Sequence, residues 1–387
     1  MTIAMTNPVS VPGVKPSSLH HDSHRELLFS LDERGVAPAR PDAIVVPHGR
    51  SAAYLKHAIA ATKELNTRLI VLCSVRASAT EAILAAKRAG VQMTALDFRL
   101  LPARLVPEFR MDSLLRGDRF HRATDTSSKR NLALLLALLS GWEKIVYLDD
   151  DIVLPQPDDL GRAARLLDRF PVVGLNNAGM PDNSVVCHAR RDAGGTQDTF
   201  VGGGALAVGR SAFDSFFPNI YNEDWFFLLG EQGLRPTGVI GTARQEDYDP
   251  YRDTRRARSE ELGDTLAEGV FGLLDAGRGL DQATEAYWRR FLKDRRRLID
   301  ETIEQVHDAI IEPGQRARMV DALKAAIGRN KLIEPALCVQ YMQDWRQDRA
   351  DWRRHCRLLT TKHRRAVGDF DKVLNVLGLG SLAQHSG

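Results

Sequence analysis

Lys144-Ile145-Val146-Tyr147-Leu148-Asp149-Asp150-Asp151 drives an apolar run of strand length straight into three consecutive carboxylates. Ile145 to Leu148 suit a buried strand, so the acids emerge at its C-terminal end. Open α/β sheets hold their ligands outside the C-terminal ends of their strands. Three bare neighbours of like charge raise each other's pKa. A hard divalent cation removes that conflict, because Mg2+ or Mn2+ takes carboxylate oxygens and shares the rest of its shell with substrate phosphates. The stretch predicts an α/β sheet with a metal–diphosphate site at its edge. The plainer reading is a solvated acidic turn.

The residues before it fit such a sheet. Ala43 to Pro47 read as a short buried strand, followed by a turn at His48-Gly49-Arg50-Ser51. Leu55, Ala58, Ile59, Thr62 and Leu65 recur at helical spacing. Leu69 to Leu72 form a second strand. A helix from Thr80 to Ala89 ends at Gly90, a residue suited to the left-handed position after a helix. Val91 to Leu96 give a third strand, ending in Asp97. Strand–helix repetition of this kind builds parallel pairing through right-handed crossovers. Segment 98–127 reads as a long connection. Ser127-Ser128 then cap a helix with Leu132, Leu135, Leu136 and Leu139 on its apolar face.

Beyond the acids, helix is expected over 158–170, strand over 172–175 and a polar loop over 187–197. Gly202-Gly203-Gly204 lead into a strand ending near Val208. Asn222-Glu223-Asp224-Trp225 open a short helix, Val239 to Gly241 form a last strand, and 245–258 read as a charged loop before a helix from Ser259. From Asp281 the texture becomes helical and densely charged. The expected division is a mobile arm over most of 1–40, an α/β part over 41–280 and a helical region over 281–387.

A chain of 387 residues can bury a large core. Its formal net charge of +3 is far from the basic footprint of a nucleic-acid binder. The four cysteines show no zinc-ligand spacing and read as reduced thiols of a cytosolic protein. No apolar stretch approaches the roughly 20 residues needed to span a bilayer, and the N-terminus lacks a signal-peptide pattern. A cytoplasmic location is the expectation.

The β-α-β-α-β half, the basic segment Ser127-Ser128-Lys129-Arg130-Asn131, the Leu148-Asp149-Asp150-Asp151 strand end, the later Gly triplet and Asn222-Glu223-Asp224-Trp225 occur in an order that resembles GT-A-fold glycosyltransferases over residues 43–275. That resemblance implies a Rossmann-like mixed sheet flanked by helices, here with a helical C-terminal extension. It also implies transfer of a sugar from a UDP-sugar, or next a GDP-sugar, to an acceptor hydroxyl with inversion. Asp149 and Asp151 match the ends of the family's Asp-x-Asp motif. Asp151 would ligate Mn2+ or Mg2+, and Asp149 would face the ribose or a metal-bound water. Asp150 falls in the donor-binding set with no separate role. The cation would offset charge gathering on the diphosphate leaving group.

Arg50 follows the first strand, where this fold meets the nucleotide. Asp97 is either a turn residue or an acid against the nucleobase or ribose. Lys129 and Arg130 sit at a helix start, where the dipole disfavours cations, and are expected to pair with phosphate or with the acids. Gly203 and Gly204 either allow close backbone approach to donor or acceptor or mark a bulge. Asp224 is the expected general base, with Glu223 contacting sugar hydroxyls. Segment 245–252 lacks the histidine that many members use as a third metal ligand, leaving either Gln245, Glu246 or Asp247 as a substitute or a metal that relies on one protein ligand.

Two rivals remain. Asp149-x-Asp151 also fits the first motif of haloacid-dehalogenase-like phosphatases, with Asp149 as nucleophile, although no later Lys and acid pair completes that set. A non-catalytic GT-A-like scaffold is the other. The C-terminal helices are candidates to pack on the catalytic part or to form a homo-oligomer contact.

Overall fold

A computed structural model of the chain describes residues 20–32, 35–102, 105–180 and 183–386. Its first half alternates as expected. Strand β1 (Phe29–Ser30) precedes β2 (Ala43–His48), α1 (Lys56–Glu64), β3 (Arg68–Cys73), α2 (Ala79–Ala89) and β4 (Met93–Asp97). After α3 (Arg110–Leu115) and α4 (Thr126–Leu139) come β5 (Lys144–Leu148), β6 (Ile152–Val153), α5 (Asp158–Leu166) and β7 (Val172–Gly179). Then follow α6 (Val185–Asp192), β8 (Ala205–Gly209), α7 (Glu223–Leu228), β9 (Thr237–Gln245) and α8 (Thr254–Asp275). The rest is α9 (Glu285–Asp308), α10 (Pro313–Asn330), α11 (Pro335–Lys362), α12 (Phe370–Val376) and the terminal β10 (Ala383–His385).

The strands form one mixed sheet in the order β1-β9-β7-β8-β5-β2-β3-β4-β10, with β6 paired to β9. β5, β2, β3 and β4 are mutually parallel, as crossover connections require. β8 runs antiparallel to both β5 and β7, and β10 is antiparallel to β4. Strand alternation divides the core between the two faces. Ala43 and Val45 of β2 join Ile145 and Tyr147 of β5 against α4, α8, α9 and α11. Ile44, Val46, Val146 and Leu148 face the other way, onto α1, α2 and α5. A central sheet covered on both faces by helices is the result.

Four local expectations are corrected. The polar loop over 187–197 is in part the helix α6, started by Ser184, whose hydroxyl accepts from the Cys187 N–H. Val185, Val186 and Ala189 are buried, so packing outweighs the local Gly and Arg content. α8 starts at Thr254, because the Asp253 carboxylate accepts from the Arg255 N–H. α4 starts at Thr126, and Ser127 donates its hydroxyl to the Pro218 carbonyl instead of capping. Segment 98–127 contains α3, whose first N–H groups, of Arg110 and Met111, are received by Asp348 of α11 at 2.9 and 3.0 Å. A cap supplied from a distant helix leaves no local signal.

Residues 1–19 of the expected mobile arm lie outside the described residues. The described remainder packs: His20 and His24 are buried, and β1 pairs in parallel with β9. His24 is held by Glu268 at 3.1 Å and by Asp275, both on α8. Such tertiary partners have no periodic pattern to betray them. Among the described residues, no helix is long and apolar enough to cross a membrane.

Candidate functional site

The parallel strands end level with one another. His48, Cys73 and Asp97 are in register across β2, β3 and β4. β5 delivers Asp149 beside them, and the Asp149 N–H donates to the Gly204 carbonyl at 2.8 Å. A cleft opens at this edge as two joined pockets of about 660 and 560 Å3. Pro47, Gly49, Arg50, Lys129 and the three acids line the first. Arg122, Arg130, Gly202, Gly204, Glu223, Asp224 and Trp225 line the second, and Asp149 belongs to both.

The three carboxylates diverge. Asp150 turns back towards β2 and accepts from His48 Nδ1 at 2.8 Å, from the N–H groups of Gly49 and Arg50 at 3.0 and 3.2 Å, and from the Arg50 guanidinium. Burial opposes its charge, but His48, Gly49 and Arg50 together hold it below the usual carboxylate range. Asp151 accepts from Arg50 Nη2 at 3.0 Å and from Gln245 Nε2 at 3.2 Å. β9 is longer than expected and carries Gln245 to this point through the Ile152–Gln245 pairing.

Asp149 points the other way. Both its oxygens accept from Arg130 Nη2, at 2.9 and 2.8 Å. Burial raises its pKa to about 6 against the pull of Arg130, and the Asp151 and Asp150 charges add to the rise. The like-charge conflict of the triplet is thus met by arginines of the chain itself.

Arg130, in the second pocket, ties Asp149, which both pockets share, to the second pocket's acids. It is buried, and Nη1 donates to Glu223 Oε1 at 3.0 Å while Nη2 holds Asp149. Asp149, Glu223 and Asp224 keep it charged despite the burial. Arg122 Nη1 reaches the second Glu223 oxygen at 3.3 Å. Asp224 accepts from the Gly203 N–H at 2.5 Å and from the Trp225 N–H at 2.9 Å, which fixes its rotamer beside the Gly triplet. The need for glycine at 203 comes from Arg130: a Cβ there would stand 2.5 Å from Arg130 Nη1.

Two expected residues are engaged elsewhere. Lys129 is buried, donating to the His48 carbonyl at 3.0 Å, to Ser74 Oγ at 2.6 Å and to Asp125 at 3.1 Å. Its ammonium therefore ties the ends of β2 and β3 to α4. Asp97 caps the turn after β4 and pairs with Arg99 at 2.6 Å, and it does not line the first pocket. The side chains of His48 and Arg122 carry roles that the sequence reading missed. His48 reads only as part of a turn, and Arg122 sits in a segment without periodicity.

The acids do not form a ready cage. Among the described residues, the group of three His, Cys, Asp or Glu side chains with donor atoms within 4.8 Å of one another is Cys187, Asp264 and Glu268, buried between α6 and α8. Arg295 and His24 already pair with those acids. Beside the cleft, Gln245 donates its amide N–H to Asp151, and an amide flip would bring its oxygen round to make a two-oxygen set with Asp151. Mg2+ and Mn2+ accept one or two protein ligands and complete the shell with phosphates and water. The residues fit a cation shared with a diphosphate.

The sequence matches no family model and no curated protein. Among solved structures it is similar to a mannosyltransferase from Pyrobaculum calidifontis, solved in complex with GDP-Man and Mn2+, at 15% identity over 84% of this chain and 90% of that one, with a TM-score of 0.41. A score of that size assigns neither fold family nor activity to this chain.

Proposed function

We propose that the chain is a GT-A-type glycosyltransferase that moves a sugar from a UDP- or GDP-sugar to an acceptor hydroxyl with inversion, using Mn2+ or Mg2+. The observation that carries this reading is the pair of joined pockets, one holding Asp151 and Arg50, the other holding Glu223 and Asp224, with Arg130 tying their shared Asp149 to Glu223. The first pocket has the size and charges for a nucleoside diphosphate, and the second has the carboxylates for sugar hydroxyls.

In this reading Asp151 and Gln245 would hold the cation, which would supply positive charge to offset the diphosphate leaving group. Arg50 moves from Asp150 and Asp151 onto the diphosphate, its charge-assisted hydrogen bonds passing from carboxylate to phosphate oxygens. Asp149 and Glu223 orient Arg130, so the donor and acceptor pockets keep a fixed relation. Asp224 takes the proton of the acceptor hydroxyl as that oxygen attacks the sugar carbon from the face opposite the leaving group. The Gly203 N–H holds Asp224 in place for that transfer.

Calorimetric titration of UDP and GDP, each with and without Mn2+, tests the donor site on the wild type and on Asp151→Ala. Metal-dependent binding of one nucleotide that the variant loses is the expected result. Absence of binding by either nucleotide overturns the transferase reading, and equal binding without metal removes the metal from it.

A further inference from the structure

The end of the molecule remote from the cleft carries an uncompensated basic surface. From Trp352 to Gly368 the chain has six Lys and Arg residues and no Asp or Glu. Arg353 pairs with Asp214 and Glu231, and Arg354 with Asp351. Arg357, Lys362, Arg364 and Arg365 are exposed and have no ion pair among the described residues. Those four charges exceed the whole chain's formal net charge of +3, so the rest of the molecule is close to neutral. Residues 352–368 are therefore a local excess of positive charge on a chain that is otherwise close to neutral in sum.

That end also exposes carbon. Leu358, on the last turns of α11 between Arg357 and Lys362, is 62% exposed. Beside it a cleft of about 430 Å3 is walled by Leu138, Phe213 and Cys356 and rimmed by Arg210, Arg353, Arg357 and the acid Asp214, which pairs with Arg353. Its place follows from the topology. Lys144 at the start of β5 pairs with Gly209 at the end of β8, so Arg210 lies at the edge of the sheet opposite Asp149. Leu138 closes the far end of α4, a helix of 14 residues and so about 20 Å long.

We infer that this end docks on an anionic lipid bilayer, with phosphate headgroups on Arg357, Lys362, Arg364 and Arg365 and Leu358 entering the headgroup boundary. Clusters of four or more cations beside an apolar contact suit such a surface. A nucleic acid is the poorer fit, because the exposed apolar residue among these cations is aliphatic and gives bases no ring to stack on. Docked in this way, the cleft at Asp149 faces away from the bilayer. The inference is independent of the reaction proposed above.

Sedimentation of the full chain with vesicles tests it, comparing pure phosphatidylcholine with phosphatidylcholine containing phosphatidylserine, across a salt series. Binding to the anionic vesicles alone, weakening with salt, is expected. Each of the four cations replaced singly by Gln should weaken binding roughly fivefold, and the fourfold Gln variant by two to three orders of magnitude. Leu358→Ser should weaken binding to the same vesicles while leaving the salt slope unchanged. Unaltered melting temperatures establish that the variants fold, and the single replacements carry the test if the fourfold variant does not. Equal binding to both vesicle types, no binding at low salt, indifference to the Gln replacements, or preference for a single-stranded RNA competitor over the vesicles overturns the inference.

Discussion

Arg130 shows how one side chain sets the chemistry of its neighbours. It is the shared partner of Asp149 and Glu223, so its removal leaves two carboxylates facing each other in a largely closed site. Arg130→Ala is expected to cost about 3 kcal/mol, the low end for breaking a buried pair, because Asp149 keeps some solvent. A urea unfolding midpoint reads this directly. Gly203→Ala strikes the same guanidinium from the backbone side, with a Cβ 2.5 Å from Nη1. The arginine tip is flexible in principle, but two carboxylates pin it, so a cost of about 2 kcal/mol follows. Gly202→Ala meets only Asp224 Oδ2 at 3.5 Å and should be nearly neutral. Comparing the melting temperatures of the two alanine variants separates them. The acid triplet and the Gly triplet are legible in the sequence because each adjoins an apolar strand, and Glu223-Asp224 because it opens the aromatic helix α7. Their partners are not. Nothing in the order of residues says that Asp150 turns to His48 while Asp149 turns to Arg130, since those choices depend on which strands lie side by side.

At the scale of elements, α8 is the support on which the second pocket stands. Gly263 lies under the turn that presents Glu223, and a Cβ there would meet the Tyr221 carbonyl oxygen at 2.3 Å and its nitrogen at 2.7 Å. Backbone cannot move aside as a side-chain tip can, so Gly263→Ala should destabilise by about 3 kcal/mol and disturb the pocket. Thermal unfolding with a parallel acceptor-side activity assay checks both effects. α8 also holds the segment before β1. Burial works against a charge on His24, yet hydrogen bonds to Asp275 and Glu268 lift its pKa to about 9 from 6.5. That contribution, about 3 kcal/mol, is fully present below about pH 6.5 and is lost as pH rises through about 9. Glu268, with its pKa lowered to about 2, keeps its side of the pair until strong acid. Denaturation midpoints should therefore fall between about pH 6.5 and 9.5 in the wild type, and His24→Gln should flatten that slope. Helices whose caps and apolar faces lie in the local sequence, such as α2, are legible there. α3 and α6 are not, because a distant carboxylate starts one and a short buried face decides the other.

Over the whole molecule, the change of composition at residue 281 does not coincide with a gap in packing. One core runs from Ala43 of β2 through Leu266 and Phe271 of α8 to Trp288, Phe291, Trp345 and Leu379. Trp288 sits against Gly269, where a Cβ would come within 2.3 Å of its ring. Arg295 of α9 neutralises Glu261 and Asp264 of α8 from a fully buried position. A chain cut after residue 280 should accordingly fail to fold, and the full chain should unfold in one transition by circular dichroism and fluorescence together. Charge density reports which faces meet water, and a helix can be densely charged on one face while its other face closes the core.

The two edges of the sheet are closed by opposite ends of the described chain. β1 covers β9, and β10 covers β4 with the Met93 N–H reaching Ser386 Oγ at 2.8 Å. During synthesis β4 leaves the ribosome some 290 residues before its partner. Until then it presents open backbone donors and acceptors, a template for pairing with another nascent copy. Closure of this edge therefore waits for the synthesis of β10, and chains stalled before it keep the β4 edge open to chaperones and to aggregation.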